Sequence, residues 1–412
     1  MGIYDAMNAS VTGMNAQSNY LSNIGQNISN ASTPGYKQAD TEFSTLVDQS
    51  AVGQTSAGGV YTTTRVEAAK RGTLQSTTST TDLAVNGNGF FVVSNSANSS
   101  SGSGENFLTR SGSFVTDNSG NLYNSAGYYL MGYAYSASGT LPAMSSNSLT
   151  GMTNVKVATG ILPAVATSTG TFSANLDSTA TSGAGPVSNT SFTSQTSITM
   201  YDSQGAAEIV NLYFLKTGAN TWSAAAYLGA TALTGSTTAL NFTGSTLGAT
   251  SMSFNLPNAN GALPTNPVTL DLSGMTQYST AFAVSKSDMT GHAASSISSV
   301  SISTDGTLSY QLADGTSVAA YKIPLASVAS PINMLSGTGN VFSPTLESGQ
   351  ANVGVAGTGQ LGTIKSSNLE QSTVDIATEL TNMIVAQRNY QANSKMFSTG
   401  AQCLDTLINM QV

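Results

Sequence analysis

Apolar positions recur at helical spacing at both ends of the chain and alternate as in strands between them. From Ile376 onward, Ile376, Leu380, Met383, Gln387, Tyr390, Ser394, Phe397, Ala401, Leu404, Ile408 and Gln411 form an unbroken four-three alternation, with Ile384 beside it. This is a heptad seam. Ser372 and Asp375 have the spacing of a capping box, and Asp375 and Glu379 set negative charge at the positive end of the dipole. The pattern predicts a helix from about Thr373 to the chain end, roughly 55 Å long. At the other end Tyr4, Met7, Val11, Met14, Ser18, Leu21, Gly25 and Ile28 repeat at three-four spacing until Pro34 and Gly35 break the helix. Asn8, Ser10, Asn15, Ser18, Asn19, Ser22, Asn23 and Asn27, together with Gly13 and Gly25, are weak helix formers, costing roughly 0.5 to 1 kcal/mol each against alanine. The two ends are therefore expected to fold together, their thin stripes satisfied by neighbouring copies as well as by each other. A two-helix coiled coil inside one monomer is the alternative.

Between the helices the period falls to two. Residues 36–75, with 347–365, read as an extended arm. Leu83-Ala-Val85, Gly87-Asn-Gly-Phe-Phe-Val-Val93, Phe107-Leu-Thr-Arg110, Gly112-Ser-Phe-Val-Thr116, Asn121-Leu-Tyr123 and Tyr128–Tyr133 read as strands separated by turn clusters, and Val300–Tyr310 and Val318–Ile323 continue that style around Asp-Gly turns. Residues 151–290 form a second β unit, with Ser197–Tyr201, Glu208–Leu215 and Trp222–Tyr227 as its clearest strands. The fold class is thus α+β: paired N- and C-terminal coiled-coil helices (1–35 with 366–412) carrying two nested, mainly antiparallel β domains. The inner one is 76–150 with 291–346, and the outer one, 151–290, is inserted into it.

Composition narrows the function classes. Only 8% of the 412 residues are charged, 41 are glycine, and the net charge is −8. A hydroxyl and amide surface repels copies of itself less than a Lys/Glu surface does. The lack of a basic cluster argues against nucleic acid. No apolar run is long enough to span a bilayer, and the first residues lack the basic and apolar regions of a secretory signal. The lone cysteine, Cys403, permits no internal disulfide and reads as a small packing residue.

No constellation carries catalysis or binds a metal or cofactor. His292 is the only histidine, and a triad or zinc site needs partners. Gly357-Thr-Gly-Gln-Leu-Gly362 fits a dinucleotide fingerprint, but no helix opens at Gly362, so it reads as a flexible joint. Asp117-Asn-Ser-Gly-Asn121 lacks the glutamate that closes a calcium loop and reads as a hairpin turn. Trp222 reads as core of the outer unit.

Four stretches, in order, carry a family likeness. Ile28-Ser-Asn-Ala-Ser-Thr-Pro-Gly-Tyr-Lys37, Asp82–Val93, Thr109-Arg-Ser-Gly-Ser-Phe114 and Met383–Lys395 resemble the bacterial flagellar rod and hook proteins. Met200–Gly205, leading into Leu212-Tyr-Phe214, and Leu272–Tyr278 look like outer-domain segments of the hook branch, which the shorter rod members lack. Residues 136–190 and 228–265 carry no stretch that can be placed by likeness. The resemblance implies a subunit exported unfolded by a type III apparatus without a cleaved signal. It also implies assembly beneath a hook cap protein, onto a distal rod protein, into a curved flexible tube that passes motor torque to the filament through a hook–filament junction protein. Partners are other copies of the chain and these proteins, with no nucleic acid and no membrane insertion; the location is the flagellum, outside the cell. Its working residues would be the two heptad stripes, with Asn30, Thr33, Pro34, Gly35, Tyr36 and Lys37 in the bend that orients helix against arm. A distal rod subunit is the alternative within the family. A Ser/Thr-rich extracellular adhesin is the alternative outside it.

Overall fold

The computed structural model describes residues 3–409 except 52–53, 98–103, 137–138, 145, 147–148, 150, 159 and 258–266, and no side chain of 47–58. Gln411 of the C-terminal seam lies outside the described residues.

Two helices bracket the chain, α1 (Ile3–Ser29) and α2 (Ile376–Asn409), and they pack against each other. The start of α2 lies three residues beyond the expected Thr373. Asp375 is its cap, with Oδ1 accepting from the backbone N–H of Ala377 and Thr378, whereas Ser372 accepts only from Val374 N–H in a turn ahead of the helix. Behind α1 comes an antiparallel hairpin, Ala39–Ala51 with Gln54–Val66, which lies against α1.

The body is two sheets. A fourteen-stranded sheet takes its strands from Phe90–Leu162 and Ser295–Val355, and an eleven-stranded sheet takes all of its strands from Thr169–Met289. The second sheet is therefore inserted in sequence within the first. Where the chain crosses between them, Val165 and His292 exchange two backbone hydrogen bonds of 3.0 Å, so outgoing and returning segments run side by side. Pairings are mostly antiparallel, but Thr169–Asp177 runs parallel to both Val268–Asp271 and Thr276–Tyr278. That strand falls in the stretch that resembled nothing. Its alternate residues Phe172, Ala174 and Leu176 point into the core of the inserted sheet around Trp222, which is 1% exposed.

Several local expectations need correction. Segment 347–365, expected as part of an arm, supplies the strand Asn352–Val355, whose Val353 is buried, and the strand Thr363–Ser366, whose Ile364 is buried. Val353 in the first and Ile364 in the second pack into the core beside the first sheet. The glycine run is no flexible joint: Gly357 N–H bonds to Gly362 O, and a Cβ on Gly362 would lie 2.5 Å from the carbonyl oxygen of Asn86. Those glycines permit a close backbone approach. Cys403 is exposed instead of packed. His292 is buried, its Nδ1 2.9 Å from the carbonyl of Ala293, and Asp117 closes a hairpin turn through the N–H groups of Ser119 and Asn121.

Candidate assembly surface and its anchor

The bend after α1 is where helices, hairpin and body meet. Asn30 ends α1 by bonding back to Gln26, and its carbonyl accepts from Thr33 N–H. α1 has already ended at Ser29, Pro34 keeps it from resuming, and Gly35 follows at φ 72°. There a side chain would be strained, and its Cβ would lie 2.6 Å from Ser111 Cα. Gly35 N–H instead bonds to Glu370 O at 2.7 Å, stitching the bend to the strand that leads into α2. The carbonyl of Tyr36 accepts from Thr373 N–H, and its phenol donates to Asn27 of α1.

Lys37 then enters a buried ionic cluster. Its ammonium lies 2.6 Å from Glu370 Oε1, which also accepts from Gly72 N–H, while Glu370 Oε2 faces Arg110 Nη1 at 3.2 Å. All three side chains are at most 2% exposed. Arg110 also donates to Gly87 O and lies 5.0 Å over the Phe90 ring. Burial pushes both the Lys37 and the Arg110 pKa down, and Glu370 offsets part of that. One carboxylate thus holds two cations from segments far apart in sequence.

The asparagines that make α1 a poor helix are its contacts. Asn19 donates to Thr62, Asn23 to Thr41 and Thr64 at 2.5 and 2.8 Å, and Asn27 both donates to and accepts from the backbone of Ala39. Spaced by four, they form one face that reads the hairpin's hydroxyl row, and the Tyr20 ring meets Phe43 edge-on beside them.

The apolar stripes lie elsewhere. On α2 the face toward α1 is made by Glu379, Ala386, Asn393 and Gly400, seven residues apart, with Asn393 against Gly13 and Gly400 against Met7. Small and polar residues let the helices approach, and the expected seam sits about a quarter turn away on a 3.5-residue frame. Met383 and Leu404 are half-buried at its edge, whereas Ile376, Leu380, Ile384, Tyr390, Phe397 and Ile408 are exposed, by 49, 47, 52, 41, 36 and 64%. On α1, Met7, Met14, Leu21 and Ile28 are half-buried, and Tyr4 and Val11 are exposed. Between Ile3, Met7, Met396, Gly400 and Cys403 lies an apolar groove of about 550 Å³.

Family models match along the whole order: Flagella basal body rod protein at 7–37, Flagellar hook protein FlgE/F/G D1 domain at 84–174, Flagellar basal body protein FlaE D2 domain at 175–292, and Flagellar basal body rod FlgEFG protein C-terminal at 365–410. The chain is 41% identical to the Flagellar hook protein FlgE of Brucella suis over 100% of both chains. It is 33% identical to that of Escherichia coli over 98% of this chain and 100% of the relative. This chain belongs to the flagellar hook protein family. The crystal structure of a Helicobacter pylori flagellar hook protein, FlgE2, aligns at TM-score 0.44 and 14% identity over 72% of this chain and 100% of that one. The first match, 7–37, ends on Lys37 and the last begins five residues before Glu370, so the two outer models contain the two halves of the Lys37–Glu370 contact. Sequence reasoning singled out Lys37 and quoted Arg110 within a motif. It missed Glu370, and it read Asn19, Asn23 and Asn27 only as helix weakeners, although their i, i+4 spacing was the available signal.

Proposed function

We propose that this chain is the structural subunit of the bacterial flagellar hook, self-assembling into a curved flexible tube that couples the rod to the filament and transmits torque. Membership of the hook protein family over its full length supports this. The observation that carries the assembly role is the placement of the α2 stripe. A helix of 34 residues turns Ala386 and Gly400 inward and leaves Ile376, Leu380, Ile384 and Ile408 outside. An exposed apolar stripe of that length marks a surface to be covered. Neighbouring copies cover it, so the seam is intersubunit and the two helices of one chain are its scaffold, a coiled coil completed between copies.

In this reading residues 1–35 with 366–412 form the inner helical layer, 36–75 an arm, 76–162 with 291–365 the inner β domain and 163–290 the outer one, the expected boundary at 151 moving because Thr153–Asn154 and Ile161–Leu162 pair with the first sheet. The bend Asn30–Lys37 sets the angle between them. Its partners are other copies, the distal rod protein, the hook cap, the hook–filament junction protein and the type III export apparatus, and its place is the flagellum outside the cell. The inserted sheet of Thr169–Met289 favours the hook over a distal rod subunit. Leu380→Asp or Ile384→Asp tests the assignment. Circular dichroism of the monomer should keep its β signal while electron microscopy shows no tubes, and tubes of normal form from either variant would refute the seam.

A further inference from the structure

Glu379 stands in the first turns of α2, 1% exposed, where the end of α1, the bend and the start of the hairpin converge. Its two oxygens are treated unequally. Oε1 accepts from Asn27 Nδ2 at 3.1 Å and from Gln38 Nε2 at 2.8 Å, while Oε2 is buried with no hydrogen-bond partner among the described residues. With both donors on one oxygen, a carboxylate would bury charge on Oε2 with no donor to receive it, whereas the neutral acid leaves only an uncharged hydroxyl unpaired, which is the smaller cost.

We propose that Glu379 is a proton-operated latch: the junction of α1, bend, hairpin and α2 is built around its neutral acid, so proton uptake tightens the terminal helices on the body. Among the side chains around it, Tyr20 on α1, Tyr36 in the bend and Asp40 on the hairpin supply no positive charge, whereas the positive end of the α2 dipole favours the carboxylate and opposes burial. Lys70 donates instead to Gln38 Oε1 at 3.0 Å and pairs with Glu67. Burial is the largest influence and raises the carboxyl's pKa. The amide donors from Asn27 and Gln38 oppose it, Asp40 adds to it and Lys70 opposes it. A carboxyl raised on folding contributes stabilisation that is complete below its unfolded pKa and is lost as pH rises through the folded one. The latch therefore loosens with rising pH. It depends only on contacts within one chain, so it stands apart from the polymerisation reading.

The test is hydrogen exchange on the full-length protein across residues 23–41 and 374–383, corrected for the intrinsic pH dependence of exchange, with Glu379→Gln as the neutral mimic. Wild-type protection should rise as pH falls through the transition, by up to about tenfold per unit, the limit for one proton. Glu379→Gln should hold the low-pH level throughout. Infrared difference spectra, wild type minus Glu379→Gln, should show the carbonyl band of a protonated carboxylic acid just above the unfolded carboxyl's titration range. Equal pH dependence in both proteins, no protection of these segments at any pH, or no acid band in the folded protein would each overturn the proposal.

Discussion

The inserted sheet and the terminal helices hold themselves together by opposite means. In the sheet, Trp222, Phe172, Phe214, Phe254 and Leu270 are buried in one cluster, and a polar group such as the Trp222 indole N–H finds Gln277 Oε1 at 2.7 Å. Apolar burial of this kind, worth about 1.5 to 3 kcal/mol per large side chain, needs nothing from outside the unit. Among the described residues of the two helices the buried positions are Ser10, Asn23, Asn27, Glu379 and the small Ala16 and Ala386, with Ile24 as the one large apolar side chain among them, while the other large apolar residues are half-buried or exposed. The inserted unit is finished as a monomer. The helices are positioned by polar contacts and leave their hydrophobic surface unspent.

The sharpest way to break that contrast is to remove the anchor. Glu370→Ala leaves Lys37 and Arg110 as uncompensated buried cations and should cost roughly 3–5 kcal/mol. The loss should be visible as a lower melting temperature and protease cleavage near the bend. A melting curve superimposable on wild type would show that the cluster is not holding the bend. Replacing all three charged residues together by apolar ones should cost much less, because no charge is then stranded.

Trp222→Ala should be comparable or slightly smaller, about 3–5 kcal/mol before the site relaxes, and confined to the other region. Exchange protection should fall in the strands of Thr169–Met289 and stay unchanged in α2, and a matching loss in α2 would mean that the two regions are not separately stabilised. Asn23→Ala is the smallest, about 1–2 kcal/mol for stranding the buried hydroxyl of Thr41, the exposed Thr64 hydroxyl turning to water. It should lower protection of α1 and of the hairpin together. Loss in α1 alone would show that the hairpin does not depend on the asparagine face.

The sequence determined the element types, because each depends on local period: heptads at both ends, alternation between, and a breaker at Pro34–Gly35. It also indicated an inserted unit, since strands of one style resume after Ser295, but not where that unit starts, because Thr153–Asn154 and Ile161–Leu162 pair with the first sheet. The strand Thr169–Asp177 was readable too, with Phe172, Ala174 and Leu176 on one side, and was lost only in its Ser/Thr-rich surroundings. Tertiary structure alone decided which face of α2 turns inward. Periodicity locates a stripe but does not say what lies against it, and here Gly13 and Gly400 let a polar, small-residue face win the close approach. It alone also brought Lys37 to Glu370, whose pairing spans 333 residues. A contact of that separation leaves no trace in local pattern, because the energy that selects it, desolvation against charge pairing, exists only once the two ends of the chain have been brought together.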